Sequence, residues 1–190
     1  RHASAVFDTL DFSARFCYSW RRNTGRTHSA AGGSGYGRKN MLRFILPDRT
    51  SREDILSFYR EIEEGGGECI GIGNYRDFDR WLTGMQNRHT GENLPEGYVR
   101  ENFYLCYDGD TLVGVFSLKF ELTEFLRSFG GHIGYAVRPS RRRQGLATQM
   151  LRQGLALAQQ FGFARVLCVC DEDNYASEED VVVKRYWISL

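Results

Sequence analysis

The chain predicts an α/β (α+β) domain in which a mixed β-sheet is flanked by helices. Three observations carry this reading. Short segments rich in aromatic and β-branched residues recur as strands, in the order β-α-α-β-β-β-α-β. Three longer segments place apolar residues at helical spacing on one face. The run Val166-Leu167-Cys168-Val169-Cys170 has no polar residue, the pattern of a strand covered on both faces.

Leu42, Phe44 and Leu46 alternate with polar neighbours and read as a short strand ended by Pro47. Thr50 to Glu53 and Ser51 to Asp54 form overlapping capping boxes ahead of Ile55, Phe58, Tyr59 and Ile62, one helical face. Gly65, Gly66 and Gly67 close that helix. A second helix from Asp77 to about Asn87 shows Phe78, Trp81, Leu82 and Met85 at the same spacing, and residues 88–98 read as loop. Residues 102–107 and 111–121 form a hairpin through Asp108, Gly109 and Asp110. Past a polar, glycine-containing stretch, residues 132–137 make the next strand, which ends at Arg138 and Pro139. The third helix runs over 145–161, with Ala147, Met150, Leu151, Leu155 and Ala158 on one face and Gly162 at its end.

A length of 190 residues with 42% hydrophobic and 26% charged side chains fits one domain with a packed core. No apolar stretch reaches the roughly 18 residues of a membrane helix, and residues 1–8 lack the apolar run of a signal peptide. Five cysteines without a CxxC spacing predict reduced thiols in a cytoplasmic protein, with neither a disulfide framework nor a metal site. Charge is split. Residues 1–40 hold seven Lys or Arg against two Asp, whereas the whole chain is only +1. The glycine- and serine-rich stretch at 30–37 reads as a linker. The expected division is therefore a basic, flexible N-terminal extension over 1–40 and a domain over 41–190. The alternative for 1–40 is a basic arm that folds on a partner.

The unit that carries chemistry is the strand–loop–helix from Gly134 to Thr148. Its strand ends at Ala136, Val137, Arg138 and Pro139. The loop is Ser140, Arg141, Arg142, Arg143 and Gln144, and Gly145, Leu146, Ala147 and Thr148 open the helix. The first amides of a helix lack intrahelical acceptors and sit at the positive end of its dipole. Small residues at Gly145 and Ala147 let a pyrophosphate reach those amides, and three arginines add charge. Neither a P-loop nor a Gly-x-Gly-x-x-Gly pattern is present. The site reads as a diphosphate cradle.

The spacing Arg142-x-x-Gly145-x-Ala147 resembles the GCN5-related N-acetyltransferase (GNAT) family, and the run before it, from Gly130 to Ser140, resembles a subgroup of uncharacterised bacterial members. The segment Cys170-Asp171-x-Asp173-Asn174-x-x-Ser177 resembles the turn after that subgroup's fifth strand. Similarity spans about 42–183 and is most specific in 130–177. The resemblance implies a twisted mixed sheet and transfer of acetyl from acetyl-CoA, as cosubstrate, to an amine. It implies pantetheine pairing along the backbone of Ala136 and Val137 like an added strand. The pyrophosphate would be held by Arg142, Arg143, Gln144, Gly145, Leu146, Ala147 and Thr148. Asn174 would meet the pantetheine, with Ser177 as a further contact. At Arg143 many members have glycine.

An amine with pKa near 10.4 must lose a proton before it attacks, to a base or a water relay. Glu121, at the end of the third strand and expected to point toward the splay, is the first choice of base, ahead of Glu124 and His132. Many relatives carry a tyrosine acid seven or eight residues beyond the asparagine. Val181 and Val182 stand there, with Tyr175 and Tyr186 out of register. The acceptor classes admitted are a small polyamine, an aminoglycoside, an amino acid or a protein lysine. Two other functions compete with transfer: a non-catalytic acyl-CoA-binding remnant, and a nucleic-acid-binding protein using 1–40 and Arg141 to Arg143. The second lacks interleaved aromatics and a recognised binding fold.

Relatives continue past the turn with a helix and two strands. Residues 178–190 have room for a short helix or one strand. Val181, Val182 and Val183 favour a strand. The sequence therefore predicts a sheet incomplete at its C-terminal side, with an apolar edge that favours self-association and impairs activity.

Overall fold

A computed structural model describes residues 41–65, 67, 74–171 and 183–190. Residues 1–40 and the candidates Asn174, Ser177, Tyr175, Val181 and Val182 lie outside the described residues.

Strand β1 (Arg43–Ile45) leads through a single 3-10 turn into helix α1 (Arg52–Glu64), followed by helix α2 (Phe78–Thr90). Strands β2 (Glu101–Asp108) and β3 (Thr111–Lys119) form the hairpin, and β4 (Ile133–Val137) leads to helix α3 (Leu146–Gln160). Strands β5 (Arg165–Asp171) and β6 (Val183–Ser189) follow. The sheet runs in chain order, β1 to β6. All neighbours are antiparallel except β4 and β5, which are parallel.

The alternation along the strands sorts side chains into two cores. Residues Tyr104, Cys106, Phe116, Leu118, Ile133 and Tyr135 face α3, which contributes Met150, Leu151, Leu155 and Ala158. Phe103, Leu105, Val115 and Ala136 face α1 and α2, which bring Ile55, Phe58, Ile62, Trp81 and Met85. Helix α3 lies unusually close to β3. A Cβ on Gly154 would sit 2.1 Å from the Phe116 ring, and one on Gly114 would meet the Ala136 carbonyl and Met150. That proximity fixes where the N-terminus of α3 emerges relative to β4.

Three details differ from the sequence reading. The N-terminal cap lies a turn earlier than the boxes at Thr50 and Ser51. The Asp48 carboxylate accepts from the Thr50 amide at 2.8 Å, and Ser51 as N-cap of α1 makes no side-chain cap bond. Helix α2 continues to Thr90, because Arg88 and His89 suit the negative end of the helix and Gly91, at φ 82°, caps it. The hairpin strand stops at Lys119, and the stretch before β4 contains a π-helical turn at Leu126–Gly130. The strand expected from 178–190 is β6, paired with β5 over its whole length. Ile188 and Leu190 pack against the α3-side core, whereas Trp187 stays about half exposed under the Arg165 guanidinium, 4.5 Å from its centroid.

Candidate functional site

The chain opens a slot where β4 and β5 part. Their register contains one pair, Ile133 with Cys168, although β4 continues to Val137 and β5 to Asp171. On its other side β4 pairs β3 throughout, with Ala136 opposite Val115 and Val137 opposite Gly114. Beyond Ile133, then, one edge of β4 faces no paired strand among the described residues. Val137 lies on that edge, at the mouth of the slot, whereas the backbone of Ala136 turns to β3, where Val115 is its partner and its carbonyl lies against Gly114.

The loop at the mouth is held from several directions. Arg142 Nε donates to the Val137 carbonyl at 3.3 Å. Glu61, on α1, accepts from the Ser140 amide at 2.6 Å and from Arg138 Nη1 at 3.1 Å. Burial works to raise the Glu61 carboxyl, but the bonds from Ser140 and the Arg138 charge outweigh it and hold it below the usual carboxylate value. Arg141 reaches back to Asp108 at 2.8 Å. Arg138 and Arg141 are paired with carboxylates, and Arg142 also holds the loop through the Val137 carbonyl, while Arg143 is exposed beside the mouth. Glu61 was not legible as a site residue, since nothing in an amphipathic helix marks one glutamate as a loop anchor.

Arg143 and Gly145 both adopt positive φ, 60° and 74°. This conformation is free of strain only for glycine, so Arg143 holds it at a cost. Gly145 is the N-cap of α3, with no side-chain cap bond and no acidic residue in the first turn. The Gln149 amide bonds to the Gly145 carbonyl at 3.1 Å, so the amides of Leu146, Ala147 and Thr148 precede the helical ladder. The Leu146 side chain is buried in the core, which leaves its backbone to the mouth, while Ala147 and Thr148 are half-buried and Arg143 and Gln144 exposed. The structure thus gathers Ala136, Val137 and the residues from Arg142 to Thr148 around one opening.

Glu121 is not gathered there. It is exposed, past the end of β3, on the closed side of the point where β4 and β5 part. Leu118 pairs with Ile133, so Glu121 lies about 10 Å further along the strand direction. The reason is strand direction: β3 is antiparallel to β4, and its C-terminal end points away from the mouth. His132 is buried, and its Nδ1 accepts from the Leu167 amide at 2.9 Å. Burial, with Arg127 and Lys119 nearby, pushes its pKa down to about 4, so the ring is neutral at pH 7.

On the α1/α2 side of this point sits a buried ion cluster that the sequence reading did not single out. Glu101 pairs with Arg88 at 3.2 Å and with Lys119 at 3.4 Å, and Lys119 Nζ donates to Ser117 Oγ. Burial opposes ionisation of Glu101, and the two cations hold its carboxyl below the usual value nonetheless. A Cβ on Gly134 would come 3.2 Å from Ser117 Oγ, so the bare backbone of β4 borders the cluster. Among the described residues no three His, Cys, Asp or Glu side chains gather as a metal site. No helix there is long and apolar enough to cross a membrane.

The family model of the acetyltransferase (GNAT) family matches residues 75–179, more than half of the chain. The chain belongs to the GNAT family. Solved structures agree in fold. The apo form of RimL, a ribosomal L7/L12 alpha-N-protein acetyltransferase, superposes with a TM-score of 0.57 at 15% identity over 83% of this chain and 100% of that one. RimL in complex with coenzyme A gives 0.52 at 18% identity over 70% of this chain and 73% of that one. An acetyl transferase from Salmonella typhimurium, described as modifying the N-terminal serine of ribosomal protein L7/L12, gives 0.50 at 17% identity over the same shares. No curated protein matches the chain. The GNAT domain thus has the mixed, twisted sheet with helices on both faces that the sequence predicts.

Proposed function

We propose that this GNAT chain is an N-acetyltransferase that moves acetyl from acetyl-CoA to a primary amine by direct attack. The observation that carries the reading is the slot itself: β4 and β5 part after one pair, and an uncapped helix N-terminus lies at the mouth. A free strand edge suits the amide-rich pantetheine arm. The amides of Leu146, Ala147 and Thr148 suit a diphosphate, because they lack intrahelical acceptors and carry the dipole's positive end. Arg142 and Arg143 add charge that favours the same anion.

In this reading the amine, once neutral, attacks the thioester carbonyl. The C–N bond forms, the coenzyme A thiolate leaves, and the proton shed by nitrogen passes through water, one proton returning to the thiolate. Neutral His132 has its Nδ1 committed and Glu121 stands off the slot, so a water relay serves better than either as the base. Backbone amides of β4 polarise the carbonyl, and holding both reactants in one slot supplies much of the rate. No covalent enzyme intermediate is needed.

A panel of acceptors (a polyamine, an aminoglycoside, free amino acids, and lysine and N-terminal serine peptides) tests the proposal, with free coenzyme A thiol as the readout. Acceptor-dependent release is expected. Failure to bind acetyl-CoA would overturn the proposal, and binding without turnover for any amine would favour the acyl-CoA-binding remnant instead.

A further inference from the structure

We infer that His132 is a positioning residue for the acetyl-CoA slot: its side chain clasps β5 at the point where β4 and β5 part, and so sets the slot's apex. The inference rests on the proposed function and deepens it. Two bonds join His132 to one residue of β5. The His132 amide donates to the Leu167 carbonyl at 2.7 Å, and the Leu167 amide donates to His132 Nδ1 at 2.9 Å. The second is the informative one, because an imidazole nitrogen takes the place that a backbone carbonyl has in a regular ladder. The His132 carbonyl in turn accepts from the Lys119 amide at 2.8 Å, so this residue bridges β3, β4 and β5.

The approach is close by construction. Gly131 has φ 65°, and a Cβ there would lie 2.5 Å from the Leu167 carbonyl oxygen. The ring is walled by Phe163 at 5.5 Å and Trp187 at 6.0 Å between centroids, both near edge-on. Water is thereby kept from the Leu167 amide, so without Nδ1 that amide would be a buried donor lacking an acceptor. The next pair, Ile133 with Cys168, is the last before the strands separate. The clasp therefore stands directly behind the apex, and loosening it lets the β5 wall drift from the β4 edge that the pantetheine would pair with.

The test compares acetyl-CoA affinity by calorimetry in the wild type, His132→Leu and His132→Asn. An asparagine Oδ1 stands near the place of imidazole Nδ1 and accepts the same bond, whereas leucine fills the volume without an acceptor. Leucine should weaken binding roughly tenfold: with the clasp gone the slot holds its binding shape only about a tenth of the time, and affinity falls by that fraction. Asparagine should stay within about twofold of wild type, because it keeps the accepted bond. Ile62→Val, in the core under α1, serves as a control that lowers melting temperature without touching the slot. Should the leucine variant fail to fold, His132→Ser, whose hydroxyl is too short to reach, takes its place.

Unchanged affinity in the folded leucine or serine variant would overturn the inference. So would an asparagine variant as weak as the leucine one, or an equal loss in the Ile62 control. A wild type that binds no acetyl-CoA would remove the proposed function and this inference together, which sets that failure apart from the others.

Discussion

Replacing Gly145 by glutamate separates backbone geometry from charge at the proposed diphosphate cradle. Gly145 holds φ 74° and ψ 11°. Any side chain there costs about 1–2 kcal/mol of left-handed strain. That cost falls on free and bound protein alike, so it lowers the melting temperature and leaves affinity nearly untouched. The charge acts differently. A carboxylate at the uncapped end of α3 satisfies the same amides and is itself stabilised there by about 0.3–1 kcal/mol. It also repels an incoming phosphate, and two like charges ~5 Å apart at an effective dielectric constant of ~20 repel by about 3 kcal/mol. Half of that repulsion is already tenfold in affinity, since about 1.4 kcal/mol is one decade. Gly145→Glu should therefore bind acetyl-CoA at least tenfold more weakly, while Gly145→Ala, which shares the strain, stays within about threefold. Titration calorimetry measures both affinities, and scanning calorimetry confirms that both variants fold. A folded glutamate variant with wild-type affinity, or an alanine variant as weak as the glutamate one, would refute the reasoning.

Three further outcomes follow from the same geometry. Gly154→Ala should lower the melting temperature by several degrees, since overpacking against Phe116 costs about 1–3 kcal/mol and exceeds the ~1 kcal/mol gained in helix propensity; an unchanged transition would contradict the close α3–β3 contact. His132, depressed from 6.5 to about 4, binds protons more readily unfolded than folded, so its contribution is whole above pH 6.5 and is lost as pH falls towards 4. Melting temperature should fall over that window, and His132→Asn should flatten the fall; the lowered carboxyls of Glu61 and Glu101 act below about 4.5 and are separable. Deleting residues 1–40 should leave both melting temperature and acetyl-CoA affinity unchanged, because few residues there suit a core; a loss of several degrees would contradict the boundary at Met41.

The parts of the fold that the sequence made legible are those where pattern is local. Ile55, Phe58, Tyr59 and Ile62 mark one face of α1, and all four are buried. The run Val166-Leu167-Cys168 is buried on both faces of the sheet, as its lack of polar residues implies. The strand–loop–helix from Gly134 to Thr148 was legible for the same reason, because small residues at a helix start leave a trace in the sequence. What was hidden depends on contacts distant in the chain. The clamp of Glu61 on Ser140 joins residues 79 positions apart, and the ion cluster needs α2, β2 and β3 to be packed before Arg88 and Lys119 share Glu101. Glu121 stands off the slot because strand direction, not strand identity, decides which end of β3 approaches it. The cap at Asp48 lay outside the boxes read at Thr50 and Ser51, since a 3-10 turn precedes α1.

The central claim, that acetyl-CoA lies along the free edge of β4 with its diphosphate on the first amides of α3, is tested most directly by amide hydrogen exchange with and without acetyl-CoA. The account predicts slowed exchange at residues 134–137 and 145–148. Amides on the β1 edge and on the far ends of α1 and α2 should keep their rates. Protection confined to another surface, or no protection at saturating acetyl-CoA, would contradict it.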